Sequence, residues 1–394
     1  MNFRALKVLV VTIIVVLVGT PWNGNVKAQR GQGAGNAQSA VVQEPINGPA
    51  AQSAAEVLAY WTPENLASAQ QVDLRGALDA FAVEPAASAE ASVSMNGAAP
   101  TVAMQPNNTN LLLDPSTVPA YQDQAAALGE GEDPAAYGTS NLPYSNSRNV
   151  PFAASTDNTY PYRTIGKWFF TKPGIGNFQC SASVIRHRIV VTAGHCLHSG
   201  NGSATGWFTN FLFVPAYRNG AAPFGTWTRF RCAVTTTWFN GGGGVPNAAD
   251  YGMCDMNDRN GVRIGSALGF LGWQTGALAL NHVHIFGYPG NLDNGVYMNQ
   301  TSAGGGRFNG NNTYIYGSNQ RQGVSGGPYI QNFGLAPTCS VGCSATLNGR
   351  LQVVGIASYL NTSTSPHYSG SSLPDSRWVS VYNLVCSFRA GNCS

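Results

Sequence analysis

From about residue 160 to its C-terminus, the chain alternates short apolar runs with clusters of turn-forming residues. Runs of this length and spacing are typical of the strands of an all-β sandwich or barrel, and they argue against a helical bundle or a coiled coil. The 47 Gly and 22 Pro of the chain suit the many turns that such a fold needs. We therefore predict strands in residues 165–171, 182–193, 211–215, 226–237, 282–288, 314–316 and 351–358.

The cysteines of the chain are confined to the same region. An even number restricted to one region predicts disulfides, which form in an oxidising compartment. Zinc is the competing interpretation, but the sequence has no pair of Cys-x2-Cys units. We predict one folded domain over residues 150–394 and as many as four disulfides. The eight cysteines are Cys180, Cys196, Cys232, Cys254, Cys339, Cys343, Cys386 and Cys393.

The N-terminus has the pattern of an export signal. Arg4 and Lys7 precede an apolar run over residues 8–18, which is shorter than the roughly 20 residues that span a bilayer. Residues 26–28, Val-Lys-Ala, put small side chains where a signal peptidase reads them. We predict a signal peptide over residues 1–28, cleavage after Ala28, and a secreted, extracellular protein without stable membrane insertion. An uncleaved membrane anchor is the alternative.

Residues 29–149 form a low-complexity leader, rich in Ala, Gln, Asn, Ser and Pro. We predict that it is largely disordered, with short helices possible at residues 54–60 and 72–81. Residues 29–144 carry two Arg against twelve acidic residues, a net charge of −10, whereas residues 145–394 carry sixteen Lys and Arg against six Asp, a net charge of +10.

This opposition of charge suggests a role for the leader. The hypothesis is an inhibitory or chaperoning pro-segment that docks on the basic domain, and a solvated spacer is the alternative. Screening limits charge attraction to about 8–10 Å at physiological salt, so apolar side chains must supply the specific contact. The leader would be removed by a cut between Glu130 and Asn158. The candidate contact residues are Trp61, Leu74, Leu78 and Phe81.

Three segments of the domain carry groups suited to acyl transfer. His195 ends a β-type run and is followed by Cys196, Asp250 enters an apolar stretch, and Ser325 lies in the turn Gln322-Gly-Val-Ser-Gly-Gly-Pro328. A serine hydroxyl becomes a nucleophile when an imidazole takes its proton and a buried carboxylate fixes the imidazole tautomer. Gly323 would let its own N–H and that of Ser325 face an oxyanion.

Any one of these segments has an ordinary structural explanation, such as a glycine turn or a buried histidine beside a disulfide. Their joint occurrence in the order His, Asp, Ser is more specific, because this order differs from those of subtilisins and α/β-hydrolases. The sequence therefore predicts a catalytic triad of His195, Asp250 and Ser325, with an oxyanion hole at Gly323 and Ser325.

With these motifs, residues 150–394 resemble the chymotrypsin-like serine endopeptidases, and within them the bacterial glutamyl endopeptidases. The resemblance implies two six-stranded antiparallel β-barrels with the active site between them, and peptide hydrolysis through an acyl-enzyme. It also implies that Ser358 supports Asp250 and presents its carbonyl to the substrate backbone. The matching blocks are Tyr160-Pro-Tyr-Arg163, Thr192-Ala-Gly-His-Cys196, Asp250-Tyr-Gly252, Gly287-Tyr-Pro-Gly290, Gly323-Val-Ser-Gly-Gly-Pro328 and Gly355-Ile-Ala-Ser358.

The chain departs from the family pattern at two positions. Val324 stands where many members have an Asp that pairs with the new N-terminus on activation, so that ion pair is excluded. Ala357 stands where the glutamyl branch has a His that helps to bind an acidic side chain, although the absence of Glu from residues 133–394 would suit a Glu-specific enzyme that spares itself. The predicted substrate-binding residues are uncharged, which argues against a preference for Lys or Arg; they are Asn319, Gln320, Ala357, Ser358 and Leu360.

The disulfide pairs follow chain position. Cys180 and Cys196 bracket the strand that leads to His195, and we expect them to pair. The other expected pairs are Cys232 with Cys254, Cys339 with Cys343, and Cys386 with Cys393, although other connectivities remain open at this stage.

Other functions are weaker interpretations. His282-x-His284 and His195-x2-His198 make a metal site conceivable, but structural histidines are the better explanation, so no metal or cofactor is predicted. The aromatic stretch 207–217 and the scattered arginines form no dense basic cluster, so no nucleic-acid partner is predicted. The main alternative to a monomeric endopeptidase acting on proteins or peptides is a catalytically silent, protease-like binding protein that adheres to acidic surfaces.

Overall fold

The computed structural model describes residues 40–48, 51–72, 103–104, 142–149, 156–279, 281–334, 350–361 and 367–394. The predicted signal peptide, the possible second leader helix and the Cys339–Cys343 pair lie outside these residues. Within them, no helix is long and apolar enough to cross a membrane.

Most of the described elements are β-strands. In chain order they are β1 Val41–Gln43, β2 Gln70–Gln71, β3 Tyr144–Arg148, β4 Ile165–Lys172, β5 Gly176–Val184, β6 Ile189–Thr192, β7 Thr209–Pro215, β8 Trp227–Thr235, β9 Gly252–Met256, β10 Gly272–Trp273, β11 Val283–Gly287, β12 Asn299–Ala303, β13 Arg307–Phe308, β14 Thr313–Gly317, β15 Pro328–Gln331, β16 Gln352–Leu360 and β17 Tyr368–Ser372. The α-helices are α1 Ala54–Tyr60, α2 Pro63–Ala67, α3 Thr236–Phe239, α4 Ile264–Leu268 and α5 Ser376–Ser387.

The first sheet closes into a six-stranded antiparallel barrel. Its strands pair in the order β8, β7, β4, β5, β6 and β9, and β9 pairs back to β8. Trp168 and Phe213 sit opposite each other on β4 and β7 and are fully buried, as expected for inward-facing aromatic residues of a small barrel. Because β9 pairs back to β8, the barrel leaves no open edge between its first and last strands.

The second sheet curls into a half-barrel. Its strands follow the order β13, β14, β17, β16, β15, β11, β12 and β3, with β10 beside β16. Among the described residues its two edge strands, β13 and β3, do not pair with each other. The predicted all-β, two-barrel architecture is confirmed, with the second barrel present as this curled sheet.

All seven predicted β-type runs contain strands. The run at 182–193 is two strands, because β5 ends at Val184 and β6 begins at Ile189 after a tight turn. The N–H of Ile185 donates to the carbonyl of Ile189, which closes this hairpin. The shared apolar character of the two strands conceals the turn in the sequence.

Three segments of the predicted leader pack on the barrels. β1 pairs with β8, β2 pairs with β5, and β3 pairs with β12, so the second sheet begins upstream of the predicted domain boundary at residue 150. The predicted helix over residues 54–60 is present as α1. A capping box starts it, since the Ser53 hydroxyl accepts from the Glu56 N–H and the Glu56 carboxylate accepts from the Ser53 N–H.

Three of the four predicted disulfides lie in the described residues, and all three are formed as predicted. Cys180–Cys196 joins β5 to the turn after β6, and Cys232–Cys254 joins the neighbouring strands β8 and β9. Cys386–Cys393 ties the end of α5 to the C-terminal residues. Disulfides in this number fit an oxidising, extracellular environment.

Candidate active site

His195 is held at the end of strand β6. The strand ends at Thr192, and residues 194–196 form a single 3-10 turn whose last residue is disulfide-bonded to Cys180. Gly194 fits this turn because a Cβ there would lie 2.7 Å from Cγ of Trp238 and 3.0 Å from Oδ1 of Asp250. A glycine before the histidine therefore lets the turn approach the carboxylate closely.

Asp250 is fully buried and points both carboxylate oxygens at polar partners. Its Oδ2 lies 2.7 Å from Nδ1 of His195 and also accepts from the Ser358 hydroxyl at 2.6 Å. Its Oδ1 accepts from the His195 backbone N–H at 2.9 Å. This arrangement places the ring proton of neutral His195 on Nδ1 and leaves Nε2 as the acceptor. The support of Asp250 by Ser358, which the resemblance implied, is present.

Ser325 lies in a turn that is held in place by hydrogen bonds from Ser181 of β5. The Ser181 hydroxyl donates to the Gly323 carbonyl at 2.8 Å, and the Ser181 N–H donates to the Ser325 carbonyl at 2.7 Å. Gly323 has φ +97°, and a Cβ there would lie 2.5 Å from the Tyr288 carbonyl oxygen. Only glycine fits both the conformation and the space.

Two backbone N–H groups of the same turn have no such partner in the described part of the chain. Among the described residues, neither the Gly323 N–H nor the Ser325 N–H donates a hydrogen bond to the protein. Two such amides in one tight turn can together donate hydrogen bonds to an oxygen that develops negative charge, which is the arrangement of an oxyanion hole.

The turn that carries Ser325 packs directly on the segment between β6 and His195. A Cβ at Gly326 would lie 3.0 Å from the Ala193 backbone nitrogen. Nε2 of His195 is buried and has no hydrogen-bond partner in the described part of the chain. The structure thus brings Ser325 close to the buried His195–Asp250 pair.

The predicted pocket residues divide into two groups. Ala357, Ser358 and Leu360 line a small cavity together with Ser325. Asn319 and Gln320 are not part of that lining. The Gln320 amide donates instead to the Ile285 carbonyl and to Oγ1 of Thr301, which commits it to the barrel wall, and the Asn319 side chain accepts from Asn146 of β3.

Val324 occupies an apolar environment rather than one suited to an ion pair. It is 3% exposed and belongs to a cluster of buried residues that includes Tyr144 and Tyr329. A carboxylate at this position would lose its hydration among apolar side chains.

The histidines proposed as alternative metal ligands have other contacts. Nδ1 of His198 accepts from the Gly200 N–H, and Nε2 donates to the Ser203 carbonyl, so His198 is a neutral structural histidine. Burial, together with a smaller effect of the neighbouring His282, lowers the pKa of His284 to about 4. Cys180, His195 and Cys196 are close enough to share a metal, but their sulfur atoms are bonded to each other and offer no thiolate.

Sequence reasoning missed three residues at this site. Ser181 fixes the turn that carries Ser325, Gln71 reaches between glycines in loops of the second sheet, and Val72 lines the cavity at Ser325. Gln71 and Val72 belong to the leader, in a stretch without apolar periodicity. Ser181 follows a predicted disulfide cysteine, which was the one available sign that its neighbourhood mattered.

The first sheet is a closed six-stranded barrel that carries His195 and Asp250, and the curled second sheet carries Ser325. Together with the buried His195–Asp250 pair, this arrangement defines the chymotrypsin-like serine protease fold. The chain belongs to that family.

Several solved structures are similar to the chain. Protease Anisep from Arthrobacter nicotinovorans is 31% identical, and the match covers 58% of this chain and 98% of that one with a TM-score of 0.48. The thermostable serine protease AL20 from an extremophilic microorganism is 25% identical over 58% of this chain and 98% of its own, also with a TM-score of 0.48. A Glu endopeptidase in complex with MPD is 17% identical over 63% and 98% of the two chains, with a TM-score of 0.45. No protein-family model and no curated protein matches the chain.

Proposed function

We infer that the protein is a secreted serine endopeptidase, made as a proenzyme, that hydrolyses peptide bonds through Ser325, His195 and Asp250. One observation carries this proposal. The His195 ring is fixed by a 2.7 Å contact to fully buried Asp250, next to a serine whose turn presents two uncommitted backbone amides. A binding protein has no need of an oriented imidazole beside such a turn.

The proposed reaction proceeds in two stages. His195 takes the Ser325 hydroxyl proton on Nε2 while Oγ forms a bond to the scissile carbonyl carbon. The carbonyl oxygen becomes an oxyanion that the Gly323 and Ser325 amides stabilise. The imidazolium then protonates the leaving amine as the C–N bond breaks. Water, deprotonated by the same imidazole, attacks the acyl-enzyme and releases the acid and free Ser325.

Each supporting group has one task in this scheme. Asp250 holds the imidazole in the correct tautomer and stabilises it when it becomes charged, without itself taking the proton. Ser358 and the His195 backbone amide keep the carboxylate oriented. The resemblance implies that the backbone carbonyl of Ser358 contacts the substrate chain.

The proposed function is tested by covalent labelling. The purified chain, before and after limited trimming of the leader, is treated with a serine-directed phosphonate, and the adduct is located by mass spectrometry. We expect a single adduct on Ser325 and hydrolysis of a denatured mixed protein by the trimmed enzyme. An absence of labelling under both conditions would favour the catalytically silent binding protein.

The leader contacts support its assignment as a pro-segment. Trp61 is 7% exposed, packs against Phe169 with ring centroids 5.5 Å apart, and donates its indole N–H to the Asn210 carbonyl. Glu44 forms a buried ion pair with Arg229 at 2.6 Å. Arg148 of the leader forms a second ion pair, with Asp293. The described part of the leader is therefore bound through apolar contacts together with charged pairs, in line with the expected need for apolar anchors.

The Glu44 pair predicts that leader docking depends on pH. Burial raises the pKa of Glu44 to about 7 against the opposing attraction of Arg229, and burial lowers the pKa of Arg229. The docked state therefore binds a proton more tightly than the released leader does. Docking is strongest below about pH 4.5 and weakens as the pH rises through about 7. Hydrogen exchange of residues 41–43, measured from pH 4 to 8, should show protection falling with pH.

The control for this prediction is Glu44→Gln, which keeps the shape of the side chain but cannot titrate. Its protection should change much less between pH 4 and 8. Protection that rises with pH in the native chain would contradict the prediction.

A further inference from the structure

Residues 70–72 of the leader lie next to Ser325. Gln70 and Gln71 form β2 beside Phe178 and Gln179 of β5. Val72 is 2% exposed and lines the same cavity as Ser325, Ser358 and Leu360. That cavity retains only about 10 Å³ of space for water, roughly one molecule, so Val72 fills the place beside the nucleophile.

Gln71 is held in a crevice walled by glycines. A Cβ added at Gly290 would overlap the Gln71 carboxamide. A Cβ at Gly323 would lie 3.1 Å from Gln71 Cγ, and one at Gly295 would lie 3.6 Å from its Nε2. The side chain therefore reaches the turn that carries the two oxyanion-hole amides. Residues 70–72, called the strap below, contact both sides of the reaction centre.

The strap runs opposite to a substrate whose acyl part lies along Ser358–Leu360 and whose leaving part passes β5. Such a substrate meets Ser358 first and β5 second. The strap pairs with β5 in parallel and only then reaches the cavity at Ser358 and Leu360. Its peptide bonds thus meet Ser325 with the acyl and amine sides exchanged.

We propose that the strap is a built-in inhibitor that occupies the cleft in reversed polarity, so that it blocks Ser325 without being a substrate for it. This rests on the proposed function, since it assumes that Ser325 is the nucleophile. Reversal accounts for how a protease can hold its own leader against its reaction centre, because the oxyanion hole and the general acid are then matched to the wrong ends of each bond.

The test compares phosphonate labelling of Ser325 in the full chain and in strap variants. Val72→Asp places a charge in an apolar cavity and should expel the strap, while Gln71→Ala removes the side chain from the glycine crevice. Ile46→Asp is the matched control, because Ile46 is an apolar leader residue outside the strap that is 71% exposed, so the same charge there stays in water. We expect Val72→Asp to raise the labelling rate tenfold or more, Gln71→Ala to raise it less, and Ile46→Asp to leave it near the wild-type rate.

The outcomes separate the two proposals. Labelling of wild type as fast as Val72→Asp, or equal acceleration by Ile46→Asp, would overturn the strap and leave the proposed function standing. Failure of every variant to label would overturn the proposed function, and the strap with it. Polarity has its own readout, since the first cuts found by mass spectrometry in the wild-type chain should lie outside residues 70–72, and a first cut within them would contradict reversal.

Discussion

Replacing Ser325 with Ala should reduce kcat by about 10⁶-fold, the scale seen when the nucleophile of a cooperative triad is removed. The change deletes one oxygen, and the anchoring of the turn by Ser181 uses the backbone carbonyls of Gly323 and Ser325, which alanine keeps. The protein should therefore be secreted and folded. The measurement is steady-state hydrolysis of a peptide substrate by the trimmed enzyme, with near-ultraviolet circular dichroism as the test of folding.

The matched control is Ser387→Ala, an exposed serine at the end of α5 whose hydroxyl bonds only to the Leu384 carbonyl within its own helix. It should retain wild-type turnover. Wild-type turnover in Ser325→Ala would place the nucleophile elsewhere and remove the basis of the proposed mechanism.

The fold was predictable because its determinants are local. Each β-type run in residues 165–358 is an apolar stretch bounded by turn residues, and this pattern persists whatever the tertiary context. Helix α5 was missed although a signal was available. Asp375 caps its first turn, and Trp378, Val381, Tyr382 and Val385 follow at helical spacing on its buried face.

The candidate site was only partly predictable, because it is assembled from segments far apart in the chain. His195, Asp250 and Ser325 were found since each lies in a short motif with an unusual residue pattern. The anchoring role of Ser181 depends on Gly323 and Tyr288, more than 100 residues away, and nothing near Ser181 in the sequence records them. Such long-range hydrogen bonds are set by the topology of the sheets rather than by local sequence.

The position of the leader was also only partly predictable from the sequence. Its composition predicted disorder, and its charge predicted docking, but neither indicates that Gln71 and Val72 would lie in the cleft. A polar Gln-Gln-Val stretch has no periodicity to read, and its position is fixed by pairing with Phe178 and Gln179 on β5. A low-complexity sequence therefore does not reveal which of its residues bind the domain until the partner strand is known.

Replacing Asp250 with Asn should lower kcat by about 10⁴-fold with little change in folding, because it exchanges an acceptor for a donor in a fully determined network. If the amide nitrogen takes the place of Oδ2, it faces the Nδ1 proton of His195 and the Ser358 hydroxyl. The imidazole must then move its proton to Nε2, where it points a donor instead of a lone pair at Ser325. If the amide flips, its nitrogen faces the His195 backbone N–H instead.

Both orientations therefore bring one donor against another, and a rotation of the side chain cannot rescue the base. The matched control is Asp258→Asn at the partly exposed ion pair with Arg188, where the same exchange should leave kcat unchanged. Phosphonate labelling of Ser325 should slow in parallel with kcat in Asp250→Asn, since both require the serine proton to be taken by Nε2. Retention of the wild-type labelling rate with a reduced kcat would show that Asp250 acts after acylation and would contradict its assignment as the group that sets the tautomer of His195.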